Sequence, residues 1–293
     1  MRVGIVGNVE KPELPEAVGL LIGCLRKHHV EYVLEEGIGR LLFKGGLAGS
    51  AGQIRPSADC AQGVDMLVAF GGDGTILSAA RNVGARRTPI LGINLGKLGF
   101  LAEVAPSEIL EAVEDIITNR YILEERLVLQ GSSATFSQSP FYAANDVVVG
   151  KARSTRLIDI ETHINGAFAV TYRGDGLIIS TPTGSTAYGL SNGGPIITPT
   201  CKVLCLTPIS PHTLSGRPVV VPDDAVIRIV THTGEDEVLV SADGREEIFA
   251  KTPLEIEVRR APHCLRLVRR LNRSYFDVLR AKLLWGKDPR SHS

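Results

Sequence analysis

The run Gly71-Gly72-Asp73-Gly74-Thr75 constrains this chain more than any other feature. The apolar segment Met66-Leu67-Val68-Ala69-Phe70 leads into it, and Ile76-Leu77-Ser78-Ala79-Ala80-Arg81 leads out. That order predicts a buried strand, a glycine turn and a helix. Three glycines around one aspartate clear side chains from a place where backbone N–H groups can close on an anion. The helix start adds partial positive charge there. A carboxylate in such a nest repels phosphate unless a cation or a hydroxyl stands between them. The pattern therefore suggests phosphoryl transfer more than simple phosphate binding. An ordinary Asp-Gly turn is the alternative.

A second block decides between them. It runs Asp175-Gly176-Leu177-Ile178-Ile179-Ser180-Thr181-Pro182-Thr183-Gly184-Ser185-Thr186-Ala187-Tyr188 and continues through Ser191-Asn192-Gly193-Gly194-Pro195. Residues 177–180 read as a short strand stopped by Pro182. Thr183 or Ser185 is suited to cap a short helix, and Gly193 to end it. So many hydroxyls and glycines in one turn read as a polar surface facing a nucleotide.

With both blocks in view, the chain resembles the NAD kinase family over about residues 1–285. The family pattern is a GGDGT loop, an N-x-G-x-LGFL segment, an Asn-Glu pair, DG-x-x-x-STPTGSTAY and a Pro-His-x-L segment. Here the second is Gly92-Ile93-Asn94-Leu95-Gly96-Lys97-Leu98-Gly99-Phe100-Leu101, the pair is Asn145-Asp146, and the last is Pro208-Ile209-Ser210-Pro211-His212-Thr213-Leu214-Ser215-Gly216-Arg217-Pro218. The pair carries Asp where the family usually has Glu. The STPTGSTAY block is the specific one, because GGDGT loops resemble those of diacylglycerol, sphingosine and 6-phosphofructokinases.

The resemblance implies ATP-dependent transfer of a phosphoryl group to the 2′-hydroxyl of the adenosine ribose of NAD. It also implies Mg²⁺ or Mn²⁺ carried mainly on the ATP phosphates, and a homodimer or homotetramer. Asp73 is then the catalytic carboxylate that orients the acceptor hydroxyl. Gly71, Gly72, Gly74 and Thr75 contact phosphates, and Phe100 stacks on a base, with a core phenylalanine as the alternative. Asn145 and Asp146, read as the end of a β-run, suit a ribose diol or a carboxamide. Asp175 takes the nicotinamide end, beside Arg173, and Thr186, Ala187, Tyr188 and Ser191 line the same cleft. Lys97 is as well read as a surface lysine, and His212 as a structural histidine. No protein-built metal site is indicated. Inorganic polyphosphate remains open as a donor. The rival readings are a lipid or sugar kinase sharing only the GGDG loop, and a non-catalytic dinucleotide sensor.

A length of 293 residues suits two domains. The first third alternates strand-like and helix-like segments, the rhythm of an open, mostly parallel α/β sheet. Residues 2–6, 30–34, 66–70 and 89–93 read as its strands and residues 14–27 as a helix. Residues 37–63 read as a loop. Residues 107–117 read as a helix capped by Ser107. Short β-prone runs then follow, among them 126–130, 141–149, 254–258 and 264–268, with Asn165-Gly166 as a hairpin turn. This predicts an all-β, sandwich-like second domain over residues 106–272. The first domain is expected over 1–105 plus a helical tail at 273–293. The basic stretch 259–273 reads as a solvated strand face.

Neither G-x-G-x-x-G nor G-x-x-x-x-G-K-[ST] occurs, which argues against a hydride-transferring Rossmann enzyme and a P-loop kinase. Zero formal net charge favours neither nucleic acid nor a membrane surface. Five cysteines without a C-x-x-C pair indicate neither a disulfide framework nor zinc, and fit a reducing cytoplasm.

Overall fold

A computed structural model of the chain describes residues 1–44, 53–136, 140–153, 155–232, 237–271 and 274–284. In chain order the elements begin β1 (Arg2–Gly7), α1 (Leu14–Lys27), β2 (Glu31–Glu35), α2 (Glu36–Lys44), β3 (Gln53–Arg55) and β4 (Met66–Gly71). Next come α3 (Asp73–Val83), β5 (Ile90–Asn94), α4 (Ile109–Ile117), β6 (Tyr121–Arg126), β7 (Leu129–Ser132), β8 (Phe141–Ala143) and β9 (Asp146–Lys151). Then follow β10 (Ile158–Ile164), β11 (Ala167–Gly174), β12 (Gly176–Ser180), α5 (Tyr188–Ser191), β13 (Val203–Ile209) and β14 (Val219–Pro222). The series closes with β15 (Ile227–His232), β16 (Glu237–Ala242), β17 (Glu246–Lys251), β18 (Leu254–Arg260), β19 (Leu265–Arg270) and α6 (Tyr275–Leu283).

Two compact units result: Met1–Glu125 with Leu265–Ser293, and Arg126–Cys264. The divisions differ from the expected 105/106 and 272/273. Helix α4 and strand β6 belong to the first unit because α4 buries Ile109, Val113 and Ile116 in the same core as α1. The run at 264–268 is not part of the β-rich half. It is β19, which pairs in parallel with β5.

The first unit is built on a sheet of order β3-β2-β1-β4-β5-β19-β6. The pairs β3/β2, β2/β1, β1/β4, β4/β5 and β5/β19 are parallel. Every residue of β4 and β5 is buried, as expected of strands covered on both faces. From β1 the chain runs outward to β2 and β3, then returns to the other side of β1 as β4. That reversal makes a topological switch point at the carboxyl ends of β1 and β4, the usual ligand position in open α/β sheets. Residues 71–75 leave β4 there. The Asn8 N–H donates to the Phe70 carbonyl at 2.9 Å and ties the two strand ends together.

Residues 37–44 are helical rather than loop, because Ile38 and Leu42 are buried one turn apart against the first core. Residues 45–52 of the expected loop lie outside the described residues. Ser107 does not cap α4. It lies in a 3₁₀ turn at Pro106–Glu108, and the Glu108 carboxylate accepts the Ala105 N–H at 2.8 Å. The basic stretch is not uniformly solvated. Arg269 and Arg270 are 12% and 8% exposed at their side chains and sit in carboxylate clusters.

The second unit holds two antiparallel six-stranded sheets, ordered β11-β10-β15-β18-β7-β8 and β14-β13-β12-β9-β16-β17. Their inward residues form one apolar core, including Val147, Val149, Ile160, Leu177, Ile179, Ile229, Val240 and Ile256. The alternating burial of β15, β16 and β18 matches one face in and one face out. Asn165 and Gly166 both take positive φ and close the β10–β11 hairpin. The run expected at 126–130 splits between β6 and β7. That at 141–149 splits between β8 and β9, with Ala144 and Asn145 in the break.

Candidate active site

In the first unit, Gly72 precedes α3 in extended conformation and Asp73 is its first residue. The Asp73 carboxylate does not stand free in the glycine turn. It accepts the N–H of Phe100 at 2.9 Å on Oδ2, and those of Leu101 at 2.9 Å and Ala102 at 3.4 Å on Oδ1. The two motif segments GGDGT and N-x-G-x-LGFL thus meet through one side chain. Gly99 makes the approach possible: a Cβ there would lie 1.9 Å from Asp73 Oδ1.

The Thr75 N–H donates to the Gly72 carbonyl at 2.9 Å, so it serves the first turn of α3 rather than an outside anion. The Phe100 ring lies 6.4 Å from the Tyr275 ring, and Lys282 Nζ stands 5.3 Å from the centre of Phe100. Asn94 is buried and donates to the Gly96 carbonyl, whereas Lys97 is exposed.

In the second unit, sheet register assembles the remaining candidates. On β9, Asp146 lies opposite Ser180 at the end of β12, and Val147 lies opposite Ala242 at the end of β16. Asp146 therefore begins a central strand instead of closing one. It is flanked by the 181–188 turn on one side and by Asp243 on the other. At the far end, Gly150 pairs with Gly176, and the Lys151 N–H donates to the Asp175 carbonyl. A cleft of about 480 Å³ follows β9, lined by Asn145, Asp146, Val148, Lys151, Asp175 and Tyr188 among others. The six residues of β9 span roughly 17–20 Å, a length that suits an extended two-part ligand.

The expected residues divide. Asn145, Asp146, Asp175, Ala187 and Tyr188 line this cleft. Thr186 and Ser191 lie beside it: the Thr186 hydroxyl donates to the Thr183 carbonyl, and Ser191 ends α5 exposed. Arg173 is no partner of Asp175. It stands opposite Asp159 across the β10–β11 hairpin, with its Nε 3.8 Å from Asp159 Oδ1. The cation beside Asp175 is Lys151, at 2.7 Å. Alternation along β11 turns Arg173 to the exposed face, whereas Lys151 ends β9, which pairs with β12 just after Asp175. His212 is exposed, and its N–H donates to the Arg173 carbonyl.

The hydroxyls of the second block mostly do not face a ligand. Ser180, Thr181, Thr183 and Ser185 are buried. Thr181 Oγ1 donates to the Ala144 carbonyl at 2.7 Å and accepts the Gly184 N–H at 3.0 Å. Ser185 Oγ donates to the Pro182 carbonyl at 2.6 Å and accepts the Ile197 N–H at 3.0 Å. Arg126 donates to Thr183 Oγ1 at 3.1 Å. The block is an internal scaffold that fixes a turn against Asn145. Gly184 lets it close, since a Cβ there would lie 2.0 Å from the Asn145 carbonyl oxygen.

Sequence reading missed Asp243. Its carboxylate accepts the N–H groups of Ala144 at 3.0 Å, Asn145 at 2.7 Å and Asp146 at 3.3 Å, and its own N–H donates to the Asp146 carbonyl. It therefore shapes the break that presents Asn145 and Asp146. Burial, and then the neighbouring Asp243 charge, push the Asp146 carboxyl up to about 7. The only sequence signal was Asp243-Gly244 after a strand, a pattern shared with many plain turns.

Comparison with known proteins gives this geometry a family. The description "ATP-NAD kinase N-terminal domain" matches residues 3–121, and "ATP-NAD kinase C-terminal domain" matches residues 144–270. The chain belongs to the NAD kinase family. An NAD kinase of Bacteroides fragilis is 41% identical over 292 residues, covering 99% of this chain and all of that one. An NAD kinase of Syntrophotalea carbinolica is 38% identical, covering 98% and 99%. Among solved structures, yeast NADH kinase complexed with NADH matches with a TM-score of 0.89 at 26% identity, over all of this chain and 90% of that one. An NAD kinase from Archaeoglobus fulgidus in complex with ATP shares the fold, with a TM-score of 0.76 at 24% identity over 96% and 99% of the chains.

Proposed function

We propose that this chain is an ATP-dependent NAD kinase, transferring the γ-phosphoryl group of ATP to the 2′-hydroxyl of the adenosine ribose of NAD to give NADP. Family membership across both units carries this reading, against the lipid or sugar kinase and the non-catalytic sensor.

Asp73 is assigned the role of orienting the acceptor hydroxyl and taking its proton late in the transfer. Its carboxylate is fixed from behind by three backbone N–H groups, so little reorientation is left for the reaction. Gly71, Gly72, Gly74 and the Thr75 hydroxyl are assigned to the phosphates, and Phe100 to a base. Asn145 and Asp146 are assigned to a ribose diol, and Asp175 with Lys151 to the nicotinamide end. Ala187 and Tyr188 supply cleft wall, and Thr186 and Ser191 its margin. Arg173 keeps only a peripheral place in this assignment.

Among the described residues, no group of three or more His, Cys, Asp or Glu side chains is arranged to hold a metal ion. A divalent cation is assigned to the ATP phosphates, since Mg²⁺ is held mainly through phosphates with few protein ligands. Bound with ATP, such an ion would supply charge neutralisation at the transferred phosphoryl group.

A homo-oligomer formed through the β-rich half accompanies this reading. Val219 and Val220 on the edge strand β14 are 40% and 48% exposed, a surface that a partner strand would cover. Light scattering checks it: a 31 kDa monomer at micromolar concentration argues against assembly. Five cysteines with no C-x-x-C pair support a cytoplasmic setting. Among the described residues no helix is long and apolar enough to cross a membrane.

The deciding assay offers NAD and Mg²⁺ with ATP or inorganic polyphosphate in separate reactions and measures NADP. Phosphorylation of a diacylglycerol or fructose 6-phosphate but not NAD would establish the rival kinase. NAD binding without turnover would establish the sensor.

A further inference from the structure

The Phe100–Leu101 peptide unit stands between the half-buried Arg269 guanidinium and Asp73. Its N–H donates to Asp73 Oδ1 at 2.9 Å, and its carbonyl accepts Arg269 Nη2 at 3.1 Å. In a trans peptide these two groups point in opposite directions from one rigid plane. A guanidinium at one end and a carboxylate at the other therefore clamp the same plate. The other Arg269 nitrogens are also engaged: Nη1 meets Glu103 Oε2 at 2.9 Å and Nε meets Glu124 Oε2 at 2.7 Å. Glu103 is itself buried, and its second oxygen accepts the Arg270 N–H at 3.1 Å. The guanidinium is thus held on three sides, in a strand of the central sheet, with little freedom to follow a moving loop.

The geometry points to Arg269 as a positioning residue for Asp73, acting through the Phe100–Leu101 peptide. Two effects follow from the contacts. Arg269 fixes where the residue 100–102 N–H groups stand, and so fixes the carboxylate they hold. Its charge at the carbonyl also polarises the peptide and strengthens the Leu101 N–H as a donor, as happens along any hydrogen-bonded chain. Asp73 and Arg269 share no direct hydrogen bond and are joined only through this peptide. Arg269 falls in a basic run whose spacing reads as a strand face, with nothing to mark one arginine from the next.

The inference rests on the reading of Asp73 as the catalytic carboxylate, and the test separates the two. Arg269→Gln, Arg269→Lys, Asp73→Asn and the Arg269→Gln/Asp73→Asn pair are made in the full chain. NADP formation gives kcat, and calorimetry gives NAD affinity. Arg269→Gln is expected to lower kcat about tenfold or more, in line with the cost of a misplaced reacting group. NAD affinity is expected to stay within about twofold. On the Asp73→Asn background, the same substitution should change kcat less than about twofold, the signature of residues acting as a unit. Arg269→Lys keeps the charge but not the fork and should fall between. Arg266→Gln, on the same strand with its guanidinium paired to Glu125, serves as the control at wild-type kcat.

Wild-type kcat in Arg269→Gln beside an inactive Asp73→Asn overturns the inference alone. An equal fold-loss on both backgrounds also overturns it, because a merely structural arginine would act that way. If Asp73→Asn keeps more than a tenth of kcat, the catalytic reading of Asp73 falls and the inference falls with it. Should Arg269→Gln fail to fold, Arg269→Lys is read against Asp73→Asn by the same criteria.

Discussion

Replacing Asp146 with asparagine should stabilise the protein at pH 8 and leave its stability unchanged near pH 4. Asp146 is 4% exposed and faces the Asp243 carboxylate. Its carboxyl loses a proton at about 7 in the folded protein against an ordinary 3.8. Below pH 3.8 both states are protonated, and the residue favours neither. As pH rises from 3.8 to about 7, the unfolded chain releases the proton while the folded chain keeps it. The folded state then binds more protons, so its stability falls as pH rises, and the loss is complete above pH 7. A gap of about 3 units at about 1.4 kcal/mol each gives a penalty of up to about 4 kcal/mol. Asparagine has the same shape and no charge to desolvate. Thermal melts of both proteins should coincide at pH 4 and separate steadily to pH 8. The variant should melt roughly 8–16 °C higher at pH 8, at about 2–4 °C per kcal/mol. A difference in melting temperature that is the same at both pH values would refute the reasoning. So would a variant less stable than the wild type at pH 8.

Other outcomes follow from the same contacts. Asp146→Ala should raise the KM for NAD about tenfold, the worth of a charge-assisted hydrogen bond, with the KM for ATP nearly unchanged; unchanged NAD affinity would make Asp146 structural. In the wild type, NAD affinity should weaken as pH falls below about 7 and the carboxylate takes a proton; a flat calorimetric profile from pH 5 to 8 would contradict the diol assignment. Asp73→Asn should lower kcat roughly 10²–10⁴-fold and move NAD binding by less than about 1.4 kcal/mol. It should also lower the melting temperature, since an amide presents N–H where three backbone N–H groups already point; a variant above a tenth of wild-type kcat is a turn mutant only. Gly99→Ala should reproduce the kcat loss of Asp73→Asn, because its Cβ would displace Asp73 Oδ1; retained kcat would mean that the carboxylate position is unimportant.

Local pattern made much of this legible. The strand–glycine–helix unit at 66–83 stands as its residues imply, because apolar runs and glycines act over a few positions. The limits of α1 follow from its apolar spacing and Pro15 in its first turn. What sequence could not supply was partnership across strands. Arg173 and Asp175 are two residues apart, yet their partners are Asp159 and Lys151, set by sheet register. Asp243 lies nearly a hundred residues from the backbone groups it binds. The hydroxyls at 180–185 look like ligand contacts as a string of polar residues. In the fold they satisfy backbone groups that a tight buried turn would leave unpaired. The basic run at 259–273 hid the same difficulty, since Arg269 and Arg270 meet carboxylates 145 to 166 positions earlier.

Strand β19 fills its place between β5 and β6 from the far end of the chain. Synthesis on a ribosome therefore completes the two units in an order opposite to their numbering. The whole of residues 126–264 has been translated before the strand that closes the first sheet exists. Until then β5 offers an open hydrogen-bonding edge to whatever lies nearby, a recognised hazard for a nascent polypeptide. A stop codon after residue 264 would leave that edge open permanently. It would also remove the arginine that steadies the Phe100–Leu101 peptide, so a truncated product would lose solubility and the Asp73 support together.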